Sequence, residues 1–216
     1  MPGDLLIEPQ MTETNSMYPP AHHLNADPED SFRVIEAFPF ATLVSPADGD
    51  VQVSQVPLML DRSRGELGCL VGHLDRNNPQ VRCLDGGRVF VAFHGPNAYV
   101  SPSVYSTVQL PTWNSVSVHV RGTANVQKSL PDVRDSIVKM TSRLEQGNKA
   151  PYVLSRKNVA MAKLLKHVVG FEVMIESVLG RFKLSQDKPA IDRELAMNHL
   201  LSRQHGRHEQ IIRSLV

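Results

Sequence analysis

The apolar positions of this chain change their spacing twice. Residues 1–16 mix polar side chains with Pro2, Gly3 and Pro9 and show no period, which reads as a flexible N-terminal extension. Met17-Tyr18-Pro19-Pro20 looks like the start of the fold. Asp27-Pro28-Glu29-Asp30 then signals a helix start: an Asx cap, a proline suited to the first turn, and acids near the positive helix end. Phe32, Ile35 and Phe38 make its apolar stripe, and Pro39 stops it. From Phe40 to about Val126 the pattern is that of strands. Phe40–Val44 is a short buried run, Val51 and Val53 alternate with Gln52 and Ser54, and Leu67–Gly72, Val89–Phe93 and Val116–Val120 follow. Turns are expected at Ala47–Asp50, Arg64-Gly65 and Asp85-Gly86-Gly87. Strands at this spacing suggest a closed or nearly closed barrel rather than βαβ units.

After residue 128 the period becomes helical. Val133, Ile137, Met140 and Leu144 share a face, with Gly147 as C-cap. A second helix is predicted over Ser155–His167, then a strand through Phe171, Val173 and Ile175. A last helix is predicted over Ala190–Arg203. The fold class is therefore α+β with a barrel core and flanking helices. The expected organisation is an extension (1–16), one domain (17–204) with a helical insertion (about 129–169), and a C-terminal tail (205–216).

Composition narrows the function classes. The 216 residues carry 23 Lys and Arg against 22 Asp and Glu, with 41% hydrophobic and 21% charged residues, as in ordinary globular proteins. A net charge of +1 gives no electrostatic argument for nucleic acid, although a local stripe is compatible with it. Cys69 and Cys83 are too few for a disulfide framework and form no CxxC, so reduced thiols in a cytoplasmic protein are expected. No secretory start is visible, and no apolar stretch approaches the ~18 residues of a membrane span. Dinucleotide, P-loop, HExxH and GxSxG signatures are absent.

Four segments are unusually polar for their surroundings. His73, Arg76 and Asn78 lie in Gly72–Gln80: Arg76 suits a phosphate or carboxylate, and His73 a metal or haem iron, while Asn78-Pro79 equally suits a capped short helix. His94–Pro102 reads as a loop permitting close backbone approach. Trp113, the single tryptophan, is large enough to stack on a flat cofactor or, more commonly, to plug a barrel end. Gly180–Gln186 reads either as a solvated turn or as a place where Arg181 and Lys183 flank a phosphate and Ser185 donates a hydrogen bond. Apolar-face histidines such as His119 are usually satisfied core groups.

Taken together, six segments resemble the PaiB-like family of FMN-binding negative transcriptional regulators. They are Tyr18-Pro19-Pro20, Gly72-His73-Leu74 with Arg76 and Asn78-Pro79-Gln80, Ala98–Ser103, Pro111–Asn114 with Val118-His119-Val120, Val169–Glu172 and Lys183–Gln186. The resemblance runs collinearly from about Met17 to about Arg193. It implies an FMN-binding split β-barrel, a homodimer with the cofactor at the subunit interface, and a regulatory role. On that reading Arg76 and Lys183 contact the FMN phosphate, and His73, Asn78, Trp113 and Ser185 surround the cofactor. A related branch, the piperazate synthases, binds haem and closes an N–N bond in N5-hydroxyornithine, and split barrels of the HugZ type also hold haem. The alternative it implies is haem b with His73 as axial ligand, Arg76 and Lys183 on carboxylates, and Tyr105 as catalytic proton donor or acceptor. A cofactor-free binding protein is the third reading. The chain departs from the family pattern at Val81, Val104 and Ser115, where aromatic rings are common, and the segment Tyr105–Pro111 lacks a usual lysine.

Overall fold

The computed structural model describes residues 20–25, 27–204 and Arg213. The extension at 1–16 and, but for Arg213, the tail at 205–216 lie outside the described residues. A two-residue strand, β1 (Leu24–Asn25), precedes helix α1 (Pro28–Ala37). Asp27 caps α1 as its sequence suggests: its Oδ1 accepts from Glu29 N at 2.9 Å, with Pro28 in the first turn. The helix buries Phe32, Val34 and Ile35. Strands β2 (Phe40–Ala47) and β3 (Asp50–Pro57) form the expected hairpin. Asp48 and Gly49 turn it with φ of +43° and +86°, the left-handed pair whose twist matches the flanking strands.

The remaining elements are β4 (Met59–Asp61), β5 (Cys69–Asp75), β6 (Arg88–Val100), β7 (Thr112–Val126), α2 (Leu130–Leu144), α3 (Val159–Leu164), β8 (Val168–Lys183) and α4 (Ala190–Ser202). The sheet runs β3-β2-β6-β7-β8-β5-β4, with β1 also on β8, and its pairings are antiparallel. The two end strands, β3 and β4, are consecutive in the chain and joined through Leu58 alone, a side chain only 1% exposed. The sheet therefore curls until its two edges share one buried linker, an α+β split barrel. Inward positions such as Leu43, Val91, Phe93, Val118, Val120, Phe171 and Val173 fill it, sealed by Ile35 of α1 and Leu200 of α4. Each such side chain contributes about 1.5–3 kcal/mol on burial. Helices α2 and α3 pack through a separate small cluster, Val133, Met161 and Leu165. No described helix is long and apolar enough to cross a membrane.

Several expectations change. The helix expected over Ser155–His167 is only α3 and a 3-10 turn at Leu165–His167. Ser155–Lys157 offers no apolar face, and Asn158 caps the helix, its Oδ1 accepting from Met161 N at 3.1 Å. The expected strand at Phe171–Ile175 is the middle of a 16-residue β8. That strand absorbs residues 180–183, read as a turn, because buried Phe182 alternates with polar Arg181 and Lys183. Likewise His94–Val100 is strand rather than loop. It belongs to β6 across a bulge between His94 and Asn97. Gly95 sits there because a Cβ would lie 3.1 Å from Val116 Cβ. The last two residues of the predicted helical insertion, Val168 and Val169, already belong to β8.

Candidate functional site

The predicted site residues fall into two groups, at opposite ends of β8. At the first end His73 lies on β5, opposite Gly170. Its half-buried ring makes no hydrogen bond among the described residues. It lines a pocket of about 280 Å³ with Ile137, Tyr152, Leu154, Met161 and Leu164. Burial pushes the imidazole below its ordinary pKa, so it is neutral at pH 7. Arg76, just beyond β5, donates from Nε to Lys166 O at 2.8 Å and from Nη2 to Val168 O at 3.1 Å. Its own N–H bonds His167 O at 2.8 Å. This arginine thus holds the turn that feeds β8. Asn78 does cap a short helix, the 3-10 turn Pro79–Cys83: its Oδ1 accepts from Gln80 N at 2.9 Å, while Nδ2 donates to Ser54 Oγ at 2.9 Å.

Gln80, which follows Asn78-Pro79, is fully buried. Its Nε2 donates to Leu43 O, Ser45 Oγ and Gln52 O at 3.0–3.1 Å, locking the β2–β3 hairpin to the turn after β5. The only sequence signal for it is a long polar side chain directly after Asn-Pro.

At the other end, β7 alternates cleanly. Asn114, Val116, Val118 and Val120 face inward, and Trp113, Ser115, Ser117, His119 and Arg121 face out. Trp113 therefore does not plug the barrel. Its ring is 54% exposed on the outer face, 6.3 Å from that of Tyr99, with Nε1 donating to Asn97 Oδ1 at 3.2 Å. Ser115 and Ser117 stand opposite Lys183 and Arg181 in the β7–β8 register. Lys183 Nζ donates to Thr112 Oγ1 at 2.5 Å. Neither Arg181 nor Lys183 forms an ion pair among the described residues.

Behind this face lies a buried polar knot. Ser185 Oγ is 3.1 Å from Tyr105 OH and accepts from Asn114 Nδ2 at 3.0 Å. Ser185 itself has φ of +64°, a conformation non-glycine residues adopt when surrounding contacts hold them there. Next to it the Asp192 carboxylate accepts from Ser106 N and Ser106 Oγ at 2.6 and 2.8 Å and from the Thr107 hydroxyl. These bonds hold its carboxyl below the usual carboxylate range. Tyr105 and Ser185 thus brace the segment between β6 and β7 against the end of β8. His119, against expectation, is not a satisfied core group. It faces outward with its ring edge-on to Phe90 at 4.8 Å, and its buried Nδ1 has no partner among the described residues. Burial, then the charges of His94, Arg121 and Arg181, push its pKa down to about 4.

Residues 17–177 match the model of the family described as "Putative FMN-binding domain". The chain belongs to this FMN-binding domain family. Among curated relatives, this FMN-binding domain chain is 28% identical over 178 residues to the Protease synthase and sporulation protein PAI 2 of Bacillus subtilis, covering 82% of this chain and 85% of that one. It is 26% identical over 182 residues to an uncharacterized protein of Emericella nidulans, covering 67% and 72%. Among solved structures, the FAD and heme binding protein from Mycobacterium smegmatis superposes with a TM-score of 0.60 at 18% identity, over 81% of this chain and 80% of that one. The flavocytochrome Anf3 from Azotobacter vinelandii gives 0.57 at 13% identity, over 74% and 69%. These structural likenesses establish the split-barrel fold.

Within this family member the two groups do not meet. His73 pairs with Gly170 and Ser115 with Lys183, so the groups are separated by up to ~40 Å of β8. No hydrogen bond among the described residues joins them. One group offers a neutral imidazole in an apolar pocket; the other offers two cations, two hydroxyls and an exposed indole.

Proposed function

We propose that the chain binds FMN in a site shared between two copies of itself. The observation that carries this is the division of the site. Each chain presents the His73–Asn78 group at one end of β8 and the Trp113–Lys183 group at the other, so one copy alone assembles neither a ring pocket nor a phosphate grip around both. The outer sheet face supports a second copy. Phe40, Val51 and Val53 are each more than half exposed, and Val44, Pro46 and Phe90 adjoin them in register. An apolar strip of this kind on a sheet is ordinarily covered. The donor set also fits the cofactor: cations without an ion pair among the described residues suit its phosphate, and Trp113 with Tyr99 suits its flat ring. When bound, the flavin supplies electron and hydride transfer; the chain's residues bind it, orient it and exclude water.

The regulatory role implied by the family resemblance has one local support. Residues 129–169 carry eight Lys and Arg against three Asp and Glu, so the positive charge missing from the whole chain is concentrated on the helical insertion. A second reading is haem, favoured by one specific feature: His73 is neutral, without a hydrogen bond, and faces an apolar pocket.

The test is an absorption spectrum of the purified protein before and after reconstitution, with its mass in solution. Bands near ~370 and ~450 nm in a dimer are expected, and a sharp band near ~400 nm would establish haem instead. A monomer that takes up FMN stoichiometrically would overturn the shared site.

A further inference from the structure

The helical insertion between β7 and β8 carries two kinds of unpartnered surface. Residues 146–171 contain five cations, Lys149, Arg156, Lys157, Lys163 and Lys166, and neither Asp nor Glu. Arg156 pairs with Asp135 at 2.8 Å, while the four lysines are exposed and form no ion pair among the described residues. The flanking acids are already engaged. Glu145 accepts from Tyr152 N at 3.0 Å and from Asn148 Nδ2 at 2.6 Å, and Glu172 pairs with Arg64. The same stretch exposes apolar side chains. Tyr152, Val153, Val159 and Leu164 are each more than half exposed, and Tyr152 and Leu164 line one hollow. Met161 and Leu165, one turn apart, turn inward to Val133, so Val159 and Lys163, also one turn apart, stand on the opposite side of α3. Single exposed apolar residues are ordinary, but four of them interleaved with four unneutralised lysines make a patch.

We propose that this patch is a docking face for an anionic lipid surface: its lysines meet headgroup phosphates, and Tyr152, Val153, Val159 and Leu164 enter the boundary between headgroups and acyl chains. Charge complementarity and the apolar side chains select this partner together. A cation held at such a surface strengthens binding by about fivefold, and its aliphatic stem lies along apolar surroundings while the ammonium stays in water. An apolar face inserted among headgroups adds to that attraction. Duplex DNA would meet the lysines and leave the apolar side chains against phosphates and water, so the charge serves the regulatory reading but its apolar neighbours do not. The face stands apart from the barrel, because α2 and α3 pack through their own small cluster outside the barrel core. Docking through it requires no flavin and is separate from the reading above.

The experiment is co-sedimentation of the full chain with vesicles of phosphatidylcholine alone and of phosphatidylcholine with phosphatidylglycerol in equal parts. The wild type is expected to bind the anionic vesicles at least tenfold more strongly than the neutral ones, and less strongly as salt rises. Lys157→Glu/Lys163→Glu should lower that binding by about tenfold or more, and Val153→Ser/Val159→Ser by about threefold. All four positions are exposed, so neither variant removes a core contact. Tyr152→Trp supplies an independent measurement: its emission, with that of Trp113 subtracted, is expected to shift to the blue on anionic vesicles. Equal sedimentation with both kinds of vesicle, or with neither, overturns the proposal. So does binding that the valine variant leaves unchanged and that shifts no emission, which would reduce the patch to a charged face. Duplex DNA binding that the lysine variant abolishes, in a chain that ignores vesicles, would assign the face to nucleic acid and overturn the lipid surface.

Discussion

The two ends of β8 carry the same kinds of side chain and use them differently. Near Gly170 the donors are already engaged within the chain. Arg76 holds the carbonyls of Lys166 and Val168, Asn78 caps the following turn and reaches Ser54, and Gln80 holds three acceptors on β2 and β3. The His73 ring makes no hydrogen bond among the described residues, and Gln80 Oε1 is buried without a partner among them. Near Lys183 the order changes: Tyr105, Asn114 and Ser185 are mutually satisfied behind the sheet, while in front of it Lys183 reaches the Thr112 hydroxyl and neither it nor Arg181 forms an ion pair among the described residues. An arginine in a motif is therefore not by itself a ligand contact. What separates a structural donor from a binding donor is whether the folded chain already supplies its acceptor.

The largest effect is expected where a donor is most fully engaged. Gln80→Ala removes the donor shared by Leu43 O, Ser45 Oγ and Gln52 O in a site with no solvent access. Lost hydrogen bonds and a new void together should lower the unfolding free energy by about 3 kcal/mol in urea titrations. A loss below about 1 kcal/mol would mean that the hairpin and the turn are held by something else.

Arg76→Ala gives a smaller effect and a sharper contrast. Its guanidinium is solvent-exposed, so breaking two bonds to carbonyls should cost about 1 kcal/mol of stability. The preference for FMN over riboflavin should stay as in the wild type. A tenfold fall in that preference, with stability unchanged, would return Arg76 to the phosphate role that the family resemblance implies and erase the difference between the two ends.

The sequence made the barrel legible because period-two alternation survives wherever one strand face is buried: Val116, Val118 and Val120 could be read directly. It hid the strand at residues 180–183 and the second half of β6 because their outer positions are polar or aromatic. A strand with Arg181 and Lys183 outside and Phe182 inside looks like a turn until its partner strand is known. The spacing predicts a helix over 155–167 because the apolar residues from Val159 onward outweigh the polar stretch before Asn158, where the cap in fact stands. For the site, residue identity was legible and engagement was not. Arg76 and Lys183 look alike as cations along the chain, and only the tertiary contacts reveal that the first holds carbonyls.

His119 tests the outer face itself and should give the smallest effect. An unfolded imidazole takes its proton near pH 6.5, whereas the folded ring, against Phe90 with Nδ1 buried, waits until about 4. Between those values the unfolded chain binds more protons. Stability is therefore level above about pH 6.5 and falls as pH drops through the window. The slope is at most about 1.4 kcal/mol per pH unit, and less for a ring this near solvent. His23 and His73, also pushed down by burial, add slopes of the same sign. His119→Gln should flatten the dependence of the urea midpoint between pH 6.5 and 4.5 without removing it; an unchanged slope would mean that the ring titrates normally. Protein concentration sharpens the measurement. If a second copy covers this face, dimerisation desolvates the ring further, and the His119-dependent slope should steepen at concentrations where the dimer persists and weaken where it dissociates. A slope indifferent to concentration would place the partner elsewhere on the barrel.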